Sequence, residues 1–104
     1  MFLVTRTFTR PNTSIAWHNN SGRTDFQQAW LGYVSSAKIT NHTSSVSHDG
    51  LTLTIETTWA DEAAWQDYLA NPATVGMVTA RNAYNSAHGI TDTRTTKRSE
   101  EHTS

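Results

Sequence analysis

Two side chains in this sequence are placed to act as bases. Glu56 lies within LTLTIETTW, residues 51–59, and His42 lies in the polar stretch before it. A carboxylate amid threonines has few solvent neighbours once its face is covered, and an imidazole titrates near neutrality. An exposed or Arg6-paired carboxylate is the plainer reading of Glu56. Surface or turn positions are the plainer reading of His42 and equally of His18, His48, His88 and His102. No two histidines share the helix spacing of a metal pair and there is no HExxH, so no metal site is expected. Serine-nucleophile motifs, phosphate-binding glycine loops and paired carboxylates are absent as well. The chain has no cysteine, which removes thiol chemistry and disulfides.

A second group of residues suits binding more than bond-making. Trp30, Tyr33, Trp59, Trp65, Tyr68 and Tyr84 fall where a pocket between a sheet and its helices would be lined, although core packing accounts for most such residues. Trp59 and one tyrosine are the best candidates for pocket wall, because their polar tips could orient a small aromatic or quinone-like molecule. No cofactor is implied by any motif.

These residues need elements to hold them. Leu51, Leu53 and Ile55 alternate with Thr52, Thr54 and Glu56, the period of a half-buried antiparallel strand that ends near Trp59. Phe2 to Thr9 is a first strand, with Phe2, Val4 and Phe8 on one face. Arg6 breaks that face, which predicts an edge position, a bulge or a pairing with a carboxylate such as Glu56. Pro11 to Arg23 reads as a loop that tucks Ile15 and Trp17 onto the body, or carries them as a lid. Thr24 and Gln27 form a capping box for a helix whose stripe is Phe26, Ala29, Trp30, Tyr33, Val34 and Ala37, with Gly32 permitting close backbone approach. Ile39 and Val46 have opposite parity, so the strand within 38–47 should carry a bulge. His48-Asp49-Gly50 makes the hairpin turn.

A second helix starts at about Asp61 and breaks at Asn71-Pro72. The next helix should bury Ala73, Met77, Ala80, Tyr84 and Ala87 and stop at Gly89. Ile90 to Lys97 is a last, Thr-rich strand, and 98–104 is expected to be a disordered tail. The order strand, helix, strand, strand, helix, strand predicts an α+β, ferredoxin-like βαββαβ domain over residues 1–97, with a four-stranded antiparallel sheet and helices on one face.

Composition sets the partners. A chain of 104 residues with net charge −1 and 16% charged residues has no field to draw it to polyanions or anionic membranes. No nucleic acid and no membrane are expected as partners. The N-terminal apolar run is too short for a signal peptide and no stretch is long enough to span a bilayer, which suggests a cytoplasmic protein. A modest core, at 36% hydrophobic residues, would gain from pairing with a second copy.

The segment TTWADEAAWQDYLANP, ending at Pro72 and followed by an amphipathic helix and Gly89-Ile90, resembles the antibiotic-biosynthesis-monooxygenase-like branch of the dimeric α+β barrel superfamily. The resemblance implies two sheets paired face to face in a homodimer, with Thr52, Thr54 and Glu56 turned toward the opposing sheet. It also implies a cofactor-independent oxygenase or isomerase, or a member without catalytic activity. In the haem-degrading branch the strand-end Trp works with an Asn on the first strand and a His on the second helix. Trp59 matches the Trp, but the first strand offers Thr5 and Thr7, and residues 61–71 contain no His.

Two functions remain open on these residues. One is an enzyme acting on a small aromatic ligand with Glu56 or His42 as base. The other is a non-catalytic dimeric binding or accessory module. An open-sheet RNA binder would need aromatics on the exposed strand face, and here that face is Thr and Glu.

Overall fold

Cross-strand pairing carries the alternation of the central strand across the whole sheet. The computed structural model describes residues 1–98. They form β1 (Phe2–Thr9), α1 (Thr24–Ser35), β2 (Ile39–Val46), β3 (Thr52–Trp59), α2 (Glu62–Ala70), α3 (Pro72–His88) and β4 (Thr91–Arg98). The four strands are antiparallel in the order β2-β3-β1-β4. This is the ferredoxin-like arrangement expected from the element order. The proposed tail, apart from Arg98 at the end of β4, lies outside the described residues.

Register fixes which side chains share a face. Phe2, Val4, Arg6 and Phe8 stand opposite Trp59, Thr57, Ile55 and Leu53, and all eight point toward the helices because parity is conserved across a ladder. The other face carries Thr5, Thr7, Thr54, Glu56, Thr93 and Thr95. β1 is therefore a central strand, which overturns an edge position for Arg6. Its guanidinium donates to Asp92 Oδ2 at 3.1 Å, not to Glu56, which projects from the opposite side of the sheet. The irregularity expected in β2 falls between Ile39 and Asn41.

Helix ends follow local chemistry closely. Asp61 caps α2 by accepting from Ala64 N at 2.8 Å. Asn71 ends α2 and caps α3, accepting from Ala73 N at 2.9 Å, with Pro72 in the first turn where its missing N–H costs nothing. Gly89 closes α3 at φ 71°, a left-handed cap that a Cβ would strain. The capping box of α1 does not form. Thr24 is already helical and Arg23 takes the cap position without a side-chain bond, so the Thr24 hydroxyl comes one residue too late.

Two helix stripes also differ from expectation. On α1 Val34 is 46% exposed, while Phe26 and Tyr33 are buried. No atom outside the local helix backbone approaches the Cβ position of Gly32 within 4 Å, so it serves no close contact. On α3 the buried residues are Thr74, Met77 and Asn85, and Ala87 is exposed. The inward face is thus turned from the small apolar stripe toward polar residues.

The core is aromatic. Trp59 is 1% exposed, and the rings of Tyr68, Tyr33, Trp65 and Trp30 surround it at centroid distances of 4.8, 5.7, 5.7 and 6.3 Å. Such pairs add about 0.5–1.5 kcal/mol each beyond the area they bury.

Candidate functional site

The helices do not close completely on the sheet. Between them lies a cavity of about 500 Å³, lined by residues of β1, β2, β3, all three helices and the 10–23 loop. All four tryptophans, Trp17, Trp30, Trp59 and Trp65, contribute to its wall. A largely apolar cavity of this size with a few polar groups is the usual form of a small-molecule site.

Of the residues singled out by sequence, His42, Trp30, Trp59, Trp65 and Tyr68 line this cavity. Tyr33, Tyr84 and Glu56 do not. Tyr33 is a core residue whose hydroxyl lies 3.0 Å from Asp67 Oδ2 and accepts from Asn71 Nδ2 at 3.3 Å. Tyr84 sits outside the cavity and donates to the Ala16 carbonyl at 2.6 Å. Glu56 is exposed on the opposite sheet face, because its parity matches Thr54 and not Ile55. The structure thus separates the two candidate bases by the thickness of the sheet.

β2 carries His42 to the cavity edge. Its Nδ1 lies 2.9 Å from Thr57 Oγ1 on the neighbouring strand, and its ring meets Trp30 edge-on at 5.0 Å. Partial burial holds the imidazole below its usual pKa, so it is neutral at pH 7. If Nδ1–H donates to Thr57, Nε2 is left to accept a proton.

The loop contributes Trp17, His18 and Asn20 to the cavity wall. Arg10 anchors the loop: Nε donates to the Gly50 carbonyl at 2.9 Å, Nη1 donates to the Ile15 carbonyl at 2.7 Å, and the guanidinium lies 4.4 Å from the Trp17 ring centroid. Two carbonyls and an aromatic face fix one side chain, which orders a segment that has no regular structure of its own. Trp17 is therefore wall as well as tuck.

Several site residues were not apparent from sequence. Arg6, Arg81 and Asn85 line the cavity beside Phe8 and Met77. The guanidiniums of Arg6 and Arg81 lie 6.0 and 5.6 Å from the Phe8 ring centroid. Burial, and then the Arg6 charge, bring Arg81 down to about 10, still protonated at neutral pH. Burial pushes the Tyr68 hydroxyl up to about 12 against the pull of Arg81 and Arg6, so Tyr68 stays a neutral phenol. Burial, Arg81 and Arg23 all lower His18. Trp59 Nε1 is buried and has no hydrogen-bond partner, an unmatched donor within the aromatic cluster.

Among the described residues, no group of three or more His, Asp or Glu side chains could hold a metal ion, and no helix is long and apolar enough to cross a membrane.

No family model matches the sequence, and no curated protein matches it. Solved structures do. SnoaB, a cofactor-independent oxygenase from Streptomyces nogalater, aligns at TM-score 0.61 and 14% identity over 97% of this chain and 94% of its own. A Streptomyces coelicolor monooxygenase solved with nanaomycin D aligns at TM-score 0.58 and 17% identity over 99% and 92%. A candidate antibiotic biosynthesis monooxygenase from Deinococcus radiodurans gives TM-score 0.60 and 13% identity over 100% and 97%. The chain therefore has the ferredoxin-like fold of the antibiotic-biosynthesis-monooxygenase-like structures.

Proposed function

We propose that this protein is a cytoplasmic, homodimeric, cofactor-independent oxygenase that acts on a small fused-ring aromatic in the cavity between sheet and helices. The observation that carries the reading is the placement of His42, neutral and held by Thr57, on the wall of a cavity that Trp59 also lines. Like folds named as oxygenases support the choice of reaction.

His42 takes a proton from an activated ring methylene, and Trp59 Nε1–H donates to the enolate oxygen that forms. Electrons pass from the enolate to dioxygen. Recombination gives a peroxide that loses water, so CH2 and O2 become C=O and H2O. Glu56 has no part in this chemistry. It belongs to the Thr-rich face, which pairs with the same face of a second copy and can satisfy its hydroxyls there.

Dithranol, an anthrone, is a suitable probe. Oxygen uptake with one O2 consumed per anthraquinone formed, at least tenfold above the buffer rate and with no added cofactor, is the expected result. A rate equal to buffer with dithranol bound would instead favour the non-catalytic binding module. Light scattering should give twice the 11.6 kDa chain mass on dilution to low micromolar concentration, and a monomer there would contradict the paired face.

A further inference from the structure

The cavity is charged on one side only. Its lining includes Arg6 and Arg81 and no Asp or Glu. Arg6 is matched by Asp92 at 3.1 Å. Arg81 has no such match: Nη1 reaches Met77 Sδ at 3.8 Å, a weak acceptor, and Nε is buried without a partner. One helical turn on, Asn85 is 6% exposed, lines the same cavity, and its Nδ2 is also buried without a partner.

Residues four apart share a helix face, so α3 brings Arg81 and Asn85 to one side, and both line the cavity. Buried donors left unmatched are costly and uncommon in folded proteins. Two of them one helical turn apart, one belonging to a fully charged group, suit an anion with two acceptor oxygens. We propose that this end of the cavity is a carboxylate subsite, with Arg81 and Asn85 as its donors, and that the ligand is an aromatic acid.

The inference rests on the cavity being the ligand site. It assigns the substrate class and leaves the reaction to His42 and Trp59 on β2 and β3. Adjacent strands lie about 4.8 Å apart, so a ligand reaching from β2 past β3 to β1 spans about 10 Å. That is the length of two or three fused rings with the acid at one end.

Anthraquinone-2-carboxylate and anthraquinone-2-carboxamide have the same rings and differ in charge. Titrated against the protein by quenching of tryptophan fluorescence, the carboxylate should bind at least tenfold more tightly. In Arg81→Gln the ratio should fall to within twofold, and Arg81→Lys, which keeps the charge but loses the fork, should fall between. Near-ultraviolet circular dichroism checks that each variant keeps its aromatic core. Equal affinities for the two probes in the unaltered protein, or a preference that survives Arg81→Gln and Asn85→Leu together, would overturn the carboxylate subsite while leaving the cavity as binding site. Binding of neither probe would overturn both.

Discussion

Replacing His42 by Ala is expected to lower turnover of dithranol by about 10²- to 10⁴-fold, the range of a positioned general base. The sign of the pH dependence follows from its surroundings. Burial disfavours the imidazolium and holds His42 below 6.5, so the base form is populated at neutral pH. In the unaltered protein kcat/KM should therefore rise through an apparent pKa below 6.5 and stay level above it. His42→Ala should lose that rising limb along with the rate. Thr57→Val removes only the hydroxyl that holds Nδ1, and should reduce kcat more than it changes KM. A His42→Ala enzyme with unaltered rate and pH profile would remove His42 from the chemistry.

Trp59→Ala should have the largest effect on stability, about 3–5 kcal/mol, as for other buried aromatic truncations. Trp59 is 1% exposed and touches four other rings, so the space it leaves has no neighbour free to fill it. Small domains are stable by only about 5–15 kcal/mol in total, and urea unfolding should show the midpoint moving to much lower denaturant. Trp59→Phe separates packing from chemistry. It keeps most of the ring contact, should cost far less stability, and still removes the Nε1 donor, so turnover should fall while the fold persists. Equal losses of stability in the Ala and Phe variants would contradict the packed ring as the source of that stability.

The fold could be read from sequence because its signals are local. Alternation in 51–59, a helix start near Asp61, the break at Asn71-Pro72 and Gly89 at a left-handed terminus each act within a few residues, and all four features appear in the structure. The errors came where a tertiary choice decides. Arg6 breaks an apolar face, a signal that was visible, but its partner is 86 positions away in Asp92. On α3 an apolar stripe through Ala80, Tyr84 and Ala87 looked like the buried side. The inward side instead runs through Met77, Arg81 and Asn85, because a helix that covers a cavity can turn polar groups inward. The spacing of those three, four apart each time, was the available signal.

Glu56 teaches a related point. Parity alone puts it on the face opposite Leu53 and Ile55, and its candidacy as a base rests on a Thr face that a partner would cover and desolvate. The cavity lies on the other side of the sheet, where Thr57 and His42 face the helices. Whether a polar sheet face is a pocket or an interface depends on what covers it, which no single strand encodes.

The central claim is that a small aromatic ligand binds between the sheet and the helices. All four indole groups line that space, so a ¹H–¹⁵N spectrum of the tryptophan side chains during titration with anthraquinone-2-carboxylate tests it directly. The account predicts that the Trp59 Nε1–H signal moves most as its proton gains an acceptor, that Trp17 and Trp30 follow, and that the backbone signals of Thr54 and Glu56 stay in place. Shifts confined to Thr54, Glu56 and Thr95, with the four indole signals unmoved, would put the ligand on the open sheet face and contradict it.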